Sequence, residues 1–250
     1  MNKYIIITAR SSSTRLNQKI LKKVTDKDRS IDILIKRAQL IGMPICLATT
    51  TDSSDNKLVS YVKKKYNIVI FRGNKENKVT RWYKCFRKLK IDIAGFVDGD
   101  DLAFDYQLYK YYLSKFKKNN MHSLKFPRKI VTGSFTYIFT KKDIIKLYKL
   151  TKKMHSLDVI EFYVKKIKNI KNIKVNKILI NKNIRLTMDY EKDLLFFKKL
   201  YKQLSILEQT QKIINFLEKN KKIKKINYFL NTLWKKNQLK EIKFHEKKKN

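Results

Sequence analysis

The first twenty residues, MNKYIIITARSSSTRLNQKI (Met1 to Ile20), decide how this chain is read. A short apolar strand, Tyr4 to Ile7, runs straight into a polar loop holding Arg10, Ser11, Ser12, Ser13, Thr14, Arg15 and then Lys19. Small hydroxyls and permanent cations just past a first strand suit an anion, and in an open α/β sheet ligands bind outside the carboxyl ends of the strands. Guanidinium forks match phosphate oxygens, and a lysine adds a mobile point charge. The same residue types also make a solvated loop in a lysine-rich chain, so on these residues alone both readings stand.

Beyond the loop, apolar residues at Ile31, Leu34, Ile35, Ala38 and Ile41 give a helical stripe over 30–41. A buried strand is expected over 44–49. Asp52, Ser53, Ser54 and Asp55 then offer caps for a helix that buries Leu58, Val59 and Val62. A strand over 67–71, a helix over 78–89 and a strand over 93–97 continue the alternation. Strands alternating with helices of roughly 10–15 residues predict right-handed βαβ units and a mainly parallel sheet.

The second half is less regular. Helices are expected over 105–116, 141–153, 157–167 and 191–204, and strands over 121–126 and 134–140. The alternating IKVNKILI of 173–180 suits an antiparallel or edge strand. The stretch 207–234 is helical in pattern, as two pieces. Its apolar stripe must cover either this domain or a second copy. The division expected is a domain over 1–204 and a C-terminal helical extension with a basic tail over 205–250.

A chain of 250 residues with 43% hydrophobic and 12% aromatic residues is long enough for a sizeable core and is not disordered. No apolar run approaches the ~20 residues of a membrane helix, and no secretion signal is visible. The expectation is a soluble, cytoplasmic protein without membrane insertion. Cys46 and Cys85 both fall in regular structure, as buried free thiols of a reducing compartment. His122, His155 and His245 lack the spacing of a zinc site. The net charge of +39 would attract nucleic acid or an anionic surface. Lysine is nonetheless spread along almost every segment. Only Lys247 to Lys249 resembles a basic tail, so the charge reads as a compositional bias.

With only 21 acidic residues, their placement is informative. Asp98, Asp100, Asp101 and Asp105 crowd into FVDGDDLAFD directly after the strand at 93–97, with Gly99 allowing a tight turn. Carboxylates there, on the sheet edge of a cationic loop, suggest a magnesium site with Asp100 as ligand. Magnesium takes one or two protein carboxylates plus substrate phosphates. Turn formation or helix capping accounts for Asp98 or Asp101 equally well. A second group, Asp189, Glu191 and Asp193, lies in RLTMDYEKDL, where capping by Asp189 or Tyr190 competes with metal binding.

Taken in order, strand–AR–SSTRL–K, strand–G–D near residue 100 and R-L-T-x-D-x-x-x-D-L near residue 190 resemble the cytidylyltransferase family of spore-coat polysaccharide biosynthesis proteins. Its relatives are the acylneuraminate and 3-deoxy-manno-octulosonate cytidylyltransferases. The segments 48–64, 71–86 and 212–227 extend the resemblance over nearly the whole chain. It implies a nucleotide-diphospho-sugar transferase fold, a three-layer α/β/α sandwich with a mainly parallel sheet. It also implies CTP-dependent transfer of CMP to a sugar or sugar acid with release of pyrophosphate, for surface polysaccharide biosynthesis. Under that resemblance Arg10, Ser13, Arg15 and Lys19 hold the triphosphate, with Arg10 and Lys19 catalytic. Arg81 helps fix the nucleotide, and Asp100 and Asp189 bind Mg2+. A homodimer is the assembly it suggests.

Three motifs depart from the family. R-L-P-x-K is here Arg15-Leu16-Asn17-Gln18-Lys19, without the proline. T-G-D-C-P is Asp98-Gly99-Asp100-Asp101-Leu102, and V-L-D-R ends in Val79-Thr80-Arg81 with the acid absent. Two alternatives stay open: a glycosyltransferase or catalytically degenerate relative of the same fold, and a basic nucleic-acid-binding protein. The second rests on the charge and on Tyr109, Tyr111 and Tyr112 beside lysines.

Overall fold

A computed structural model describes residues 1–13, 15–127, 129–155, 157, 160–181 and 183–237. The alternation expected for the first hundred residues is present. Strands β1 (Lys3–Thr8), β2 (Ile45–Thr50), β3 (Val69–Gly73) and β4 (Ile93–Asp98) alternate with helices α1 (Ser30–Gln39), α2 (Asn56–Lys65) and α3 (Lys78–Lys88). After β4 come α4 (Tyr106–Lys115), β5 (Leu124–Lys125), β6 (Tyr137–Thr140), α5 (Lys141–Thr151), α6 (Glu161–Val164) and β7 (Lys171–Asn172). Helices α7 (Glu191–Gln203), α8 (Thr210–Lys219) and α9 (Lys221–Lys224) follow, with residues 230–237 helical again.

The strands form one sheet in the order β3-β2-β1-β4-β6-β5-β7. The first four are mutually parallel, β6 runs antiparallel to β4, and β5 antiparallel to β6. Side chains alternate across a strand. Ile5 and Ile7 therefore join one core layer with α1, α2, α4, α7 and α8, while Ile6, Cys46, Ala48 and Phe96 join the other with α3, α5 and α6. This is the three-layer α/β/α sandwich with a mainly parallel sheet expected from the sequence. Cys46 and Cys85 face each other in the second layer as free thiols, Sγ to Sγ 3.7 Å.

Strand order places β1 and β4 side by side at the centre, in register Thr8 to Asp98. The loops after both strands therefore open on the same edge. Gly99 makes their close approach possible: its N–H donates to the Thr8 carbonyl at 2.8 Å, and a Cβ there would lie 2.9 Å from that of Ala9.

Several expectations are corrected. Residues 173–180 are not a strand. Only Lys171–Asn172 pairs, parallel to β5. The backbone of Lys174 instead exchanges hydrogen bonds with the Tyr112 hydroxyl, and the chain enters a 3-10 turn, Lys177–Leu179. The alternation buries Ile173 and Leu179 without a ladder. The strand expected over 121–126 shrinks to two residues. The helix expected over 157–167 reduces to α6, because Leu157 is held by backbone bonds to Glu76 and Lys78; Asp158 and Val159 lie outside the described residues.

The C-terminal stripe packs back onto the sheet layer, with Ile213, Ile214 and Leu217 buried in the β1 core. Arg37, itself buried in α1, fastens this segment by donating to the carbonyls of Phe104, Ile206 and Glu208. The three tyrosines offered for nucleic-acid binding do not form one exposed surface, although the Tyr111 and Tyr112 rings meet edge to face at 5.1 Å. Tyr109 is buried with its hydroxyl on the Phe96 carbonyl, Tyr112 is tied to Lys174, and only Tyr111 is exposed. Among the described residues no helix is long and apolar enough to cross a membrane.

Candidate active site

At the carboxyl ends of β1 and β4 lies a cavity of about 850 Å³. Arg10, Ser13, Arg15 and Lys19 from the first loop line it together with Arg81 and Asp100. Six of the seven residues singled out from sequence thus line one cavity, and the seventh, Asp189, is hydrogen-bonded to two of them, Arg15 and Lys19. Thr14, His245 and the run Lys247 to Lys249 lie outside the described residues.

The centre of the site is an ion network. Lys19 Nζ donates to Asp100 Oδ2 at 2.7 Å and to Asp189 Oδ1 at 3.0 Å. Arg15 reaches the same Asp189 oxygen at 2.8 Å, and Arg185 takes Oδ2 at 3.0 Å. Arg185 is wholly buried and also pairs with both oxygens of Asp193, at 2.9 and 3.1 Å. Asp193 accepts the backbone N–H groups of Asp189 and Tyr190, which starts α7 and fixes where Asp189 points. Tyr190 takes the N-cap position of α7, and Asp193 completes the cap by accepting the Tyr190 N–H, so the cap does not fall to Asp189.

These contacts separate the two carboxylates electrostatically. Asp189 is only 1% exposed. Burial disfavours its charge, but Lys19, Arg15 and Arg185 outweigh burial and hold its pKa below the usual carboxylate range. Asp100 is mostly buried too, and burial, outweighing the Lys19 ammonium, together with the like charges of Asp189 and Asp98, raises its pKa. For Lys19, burial disfavours the ammonium, yet Asp100 and Asp189 raise it above lysine's ordinary value, so it stays charged.

The surrounding acids have defined tasks. Asp98 pairs with Lys78 at 2.6 Å, and that ammonium lies over the Trp82 ring. Asp101 accepts from Thr136 and Thr187 inside the fold, and burial followed by repulsion from Asp100 and Asp98 pushes its pKa well up. Asp105 caps α4 through the N–H groups of Gln107 and Leu108. Asp52 caps the turn before α2, but Asp55 faces inward. Its carboxylate accepts from the Ser11 N–H at 2.6 Å and from Thr49 and both donors of Thr50, which pins the first loop to β2. Arg81 is buried and donates to the Asn74 carbonyl at 2.6 Å, holding the β3–α3 loop against the cavity.

A family model described as Cytidylyltransferase matches residues 4–242. The chain belongs to the cytidylyltransferase family. This cytidylyltransferase is 27% identical over 228 residues to "Uncharacterized protein MJ1063" of Methanocaldococcus jannaschii, covering 89% of this chain and 93% of that protein. Its fold is similar to that of a cytidylyltransferase from Leptospira borgpetersenii serovar Hardjo-bovis. The TM-score there is 0.77 at 22% identity, over 89% of this chain and 96% of that one. It is also similar to a CMP:2-keto-3-deoxy-manno-octonic acid synthetase complexed with CTP, with a TM-score of 0.58 and 15% identity over 81% and 99% of the two chains.

Sequence reading of this cytidylyltransferase missed Arg185, Lys78 and the inward role of Asp55. The recurrence of Arg185, Asp189 and Asp193 every four residues was the available signal. It reads as helix-surface pairing, whereas Arg185 and Asp189 lie on the chain that leads into α7.

Proposed function

We propose that this chain catalyses CTP-dependent transfer of CMP to a hydroxyl of a sugar or sugar acid, releasing pyrophosphate, as a step of surface polysaccharide synthesis. The observation that carries this reading is the convergence of Arg10, Ser13, Arg15 and Lys19 with Asp100 and Asp189 at one cavity. A triphosphate needs several fixed cations, and the first loop supplies them beside the carboxylates. In the reaction the acceptor oxygen forms a bond to the α-phosphorus while the bond from that phosphorus to the bridging oxygen of pyrophosphate breaks. Negative charge builds on the leaving oxygens, where Arg15 and Lys19, turned from their carboxylate partners, would stabilise it.

The donor set fits magnesium. Asp100 and Asp189 converge on a single cation position, held here by the Lys19 ammonium as a stand-in. Among the described residues no cluster of three or more histidine, cysteine or acidic side chains is assembled. An ion held there would need water and substrate phosphates to complete its shell. Bound there, magnesium would neutralise phosphate charge, with Asp100 and Asp189 as its protein ligands. Arg15 and Lys19 would turn from the carboxylates to the phosphates as the triphosphate enters.

The test is pyrophosphate release from CTP, magnesium and a panel of nonulosonic and related sugar acids. Release is expected in the wild type and not in Asp100→Ala. Chelation with EDTA should abolish it and added Mg2+ restore it. Absence of release across nucleotides and acceptors, with folded protein, rejects the reading.

A further inference from the structure

The C-terminal segment reaches the active site. Three asparagines tie it to the ion network behind the phosphate loop. Asn227 Nδ2 donates to Asp193 Oδ1 at 2.9 Å, Asn231 Oδ1 accepts from Arg185 at 3.4 Å, and Asn237 Nδ2 donates to the Tyr190 hydroxyl at 3.4 Å. Asn227 and Asn231 are buried. The Tyr190 ring also carries the Arg15 guanidinium at 5.7 Å, so the segment is anchored at the Arg15–Asp189 end of the cavity. Between the second and third anchors, Trp234 and Lys235 line the cavity wall itself.

We propose that the helical residues 230–237 form part of the phosphate-binding wall, with Lys235 contacting the leaving pyrophosphate portion of the nucleotide and Trp234 packing over it. The inference deepens the nucleotidyl-transfer reading and rests on it. Its physical ground is complementarity. A wall already carrying Arg15 and Lys19 gains a further ammonium on a long, flexible stem, which suits a polyanion that must bind and then leave. The first two anchors matter because Asn227 and Asn231 are side-chain amides on the buried Asp193 carboxylate and Arg185 guanidinium, so the segment is positioned by the same network that orients Asp189. The region expected from sequence as an extension would then contribute to the site.

Inorganic pyrophosphate is the probe, titrated calorimetrically at roughly 150 mM salt to suppress unspecific attraction to a chain of charge +39. Lys235→Ala should weaken binding about three- to tenfold, the scale of one partly exposed charge-assisted contact, and Lys235→Glu further. Lys84→Ala removes the same charge from α3 outside the cavity and should stay within about twofold of the wild type. Tryptophan emission gives a second readout, since Trp82 is fully buried on Thr8 and Trp234 half-buried at the cavity. Pyrophosphate should change the emission of the wild type but not of Trp234→Phe. Equal affinities for Lys235→Ala and Lys84→Ala, or an emission change that Trp234→Phe leaves intact, overturns the inference while leaving the nucleotidyltransferase reading standing. Wild-type protein that binds neither pyrophosphate nor CTP rejects both.

Discussion

Lys19 and Arg185 both serve Asp189, one from the cavity side and one from the interior, and removing them should have opposite signatures. On the proposed reaction, Lys19→Ala takes a cation from the site where charge would develop while Asp189 keeps Arg15 and Arg185. Turnover should fall on the order of 10²–10³ with the unfolding midpoint little changed, measured by pyrophosphate release and denaturant titration on the same preparation. Arg185→Ala leaves Asp189 Oδ2 without its donor and strips the buried Asp193 carboxylate of its cationic partner, a loss of about 3–5 kcal/mol in stability. A denaturation curve superimposable on the wild type would contradict it. Lys19 and Asp100 were legible in the sequence because each sits in a short stretch of chain with a recognisable composition. Arg185 was not, because its meaning depends on Asp193, Asn227 and Asn231 arriving from other elements.

Among the connections between elements, the 131–134 turn is the tightest constraint near the cavity. Gly133 has φ +85, and a Cβ there would lie 2.4 Å from the Leu186 carbonyl oxygen. Gly42, just after α1, has φ +76 with nothing within 4 Å. Gly42→Ala should therefore pay only the left-handed backbone cost, about 1 kcal/mol. Gly133→Ala also forces apart the backbone pairing of Thr132 with Arg185 and Leu186, and should cost at least about 2 kcal/mol more. Equal melting temperatures for the two variants would refute the contrast. Elements with strong periodicity, such as α1 and β1, were read correctly from sequence. Residues 173–180 were not. A period of two reports which side chains are buried, and the Tyr112 hydroxyl rather than a neighbouring strand took the Lys174 backbone.

For the whole molecule, acid stability should depend on buried carboxylates far from the cavity. Asp32 of α1 is fully buried, yet accepts from Tyr66, Tyr61 and the Arg29 N–H and pairs with Lys65, joining α1 to α2. Burial works against its charge; the Tyr66, Arg29, Lys65 and Tyr61 hydrogen bonds outweigh it, and its pKa is lowered. A carboxylate held below its unfolded value of about 4 stabilises the fold above that pH, and the contribution disappears as pH falls through the folded value. Asp32→Asn should thus be less stable by about 2 kcal/mol near pH 7, with the gap to wild type closing below about pH 4. A gap that stays constant between pH 7 and pH 2.5 would contradict the assignment.

The sequence by itself determined the alternation of strands and helices, the cationic first loop and the acids after β4, because these are local patterns of hydrophobicity, charge and turn chemistry. Its ordered motifs also sufficed to indicate the family. Tertiary structure alone decided that Asp100 and Asp189 share one ammonium, that Asp55 pins the loop, and that Trp234 and Lys235 line the cavity. The cationic loop is a phosphate-site candidate in either case. It becomes a specific one because parallel pairing of β1 with β4 brings Asp100, 81 positions from Lys19, within hydrogen-bond distance, and the Met188 N–H on the Asp100 carbonyl brings in Asp189, 170 positions away. Such convergence depends on the path of the whole chain, which no local pattern records.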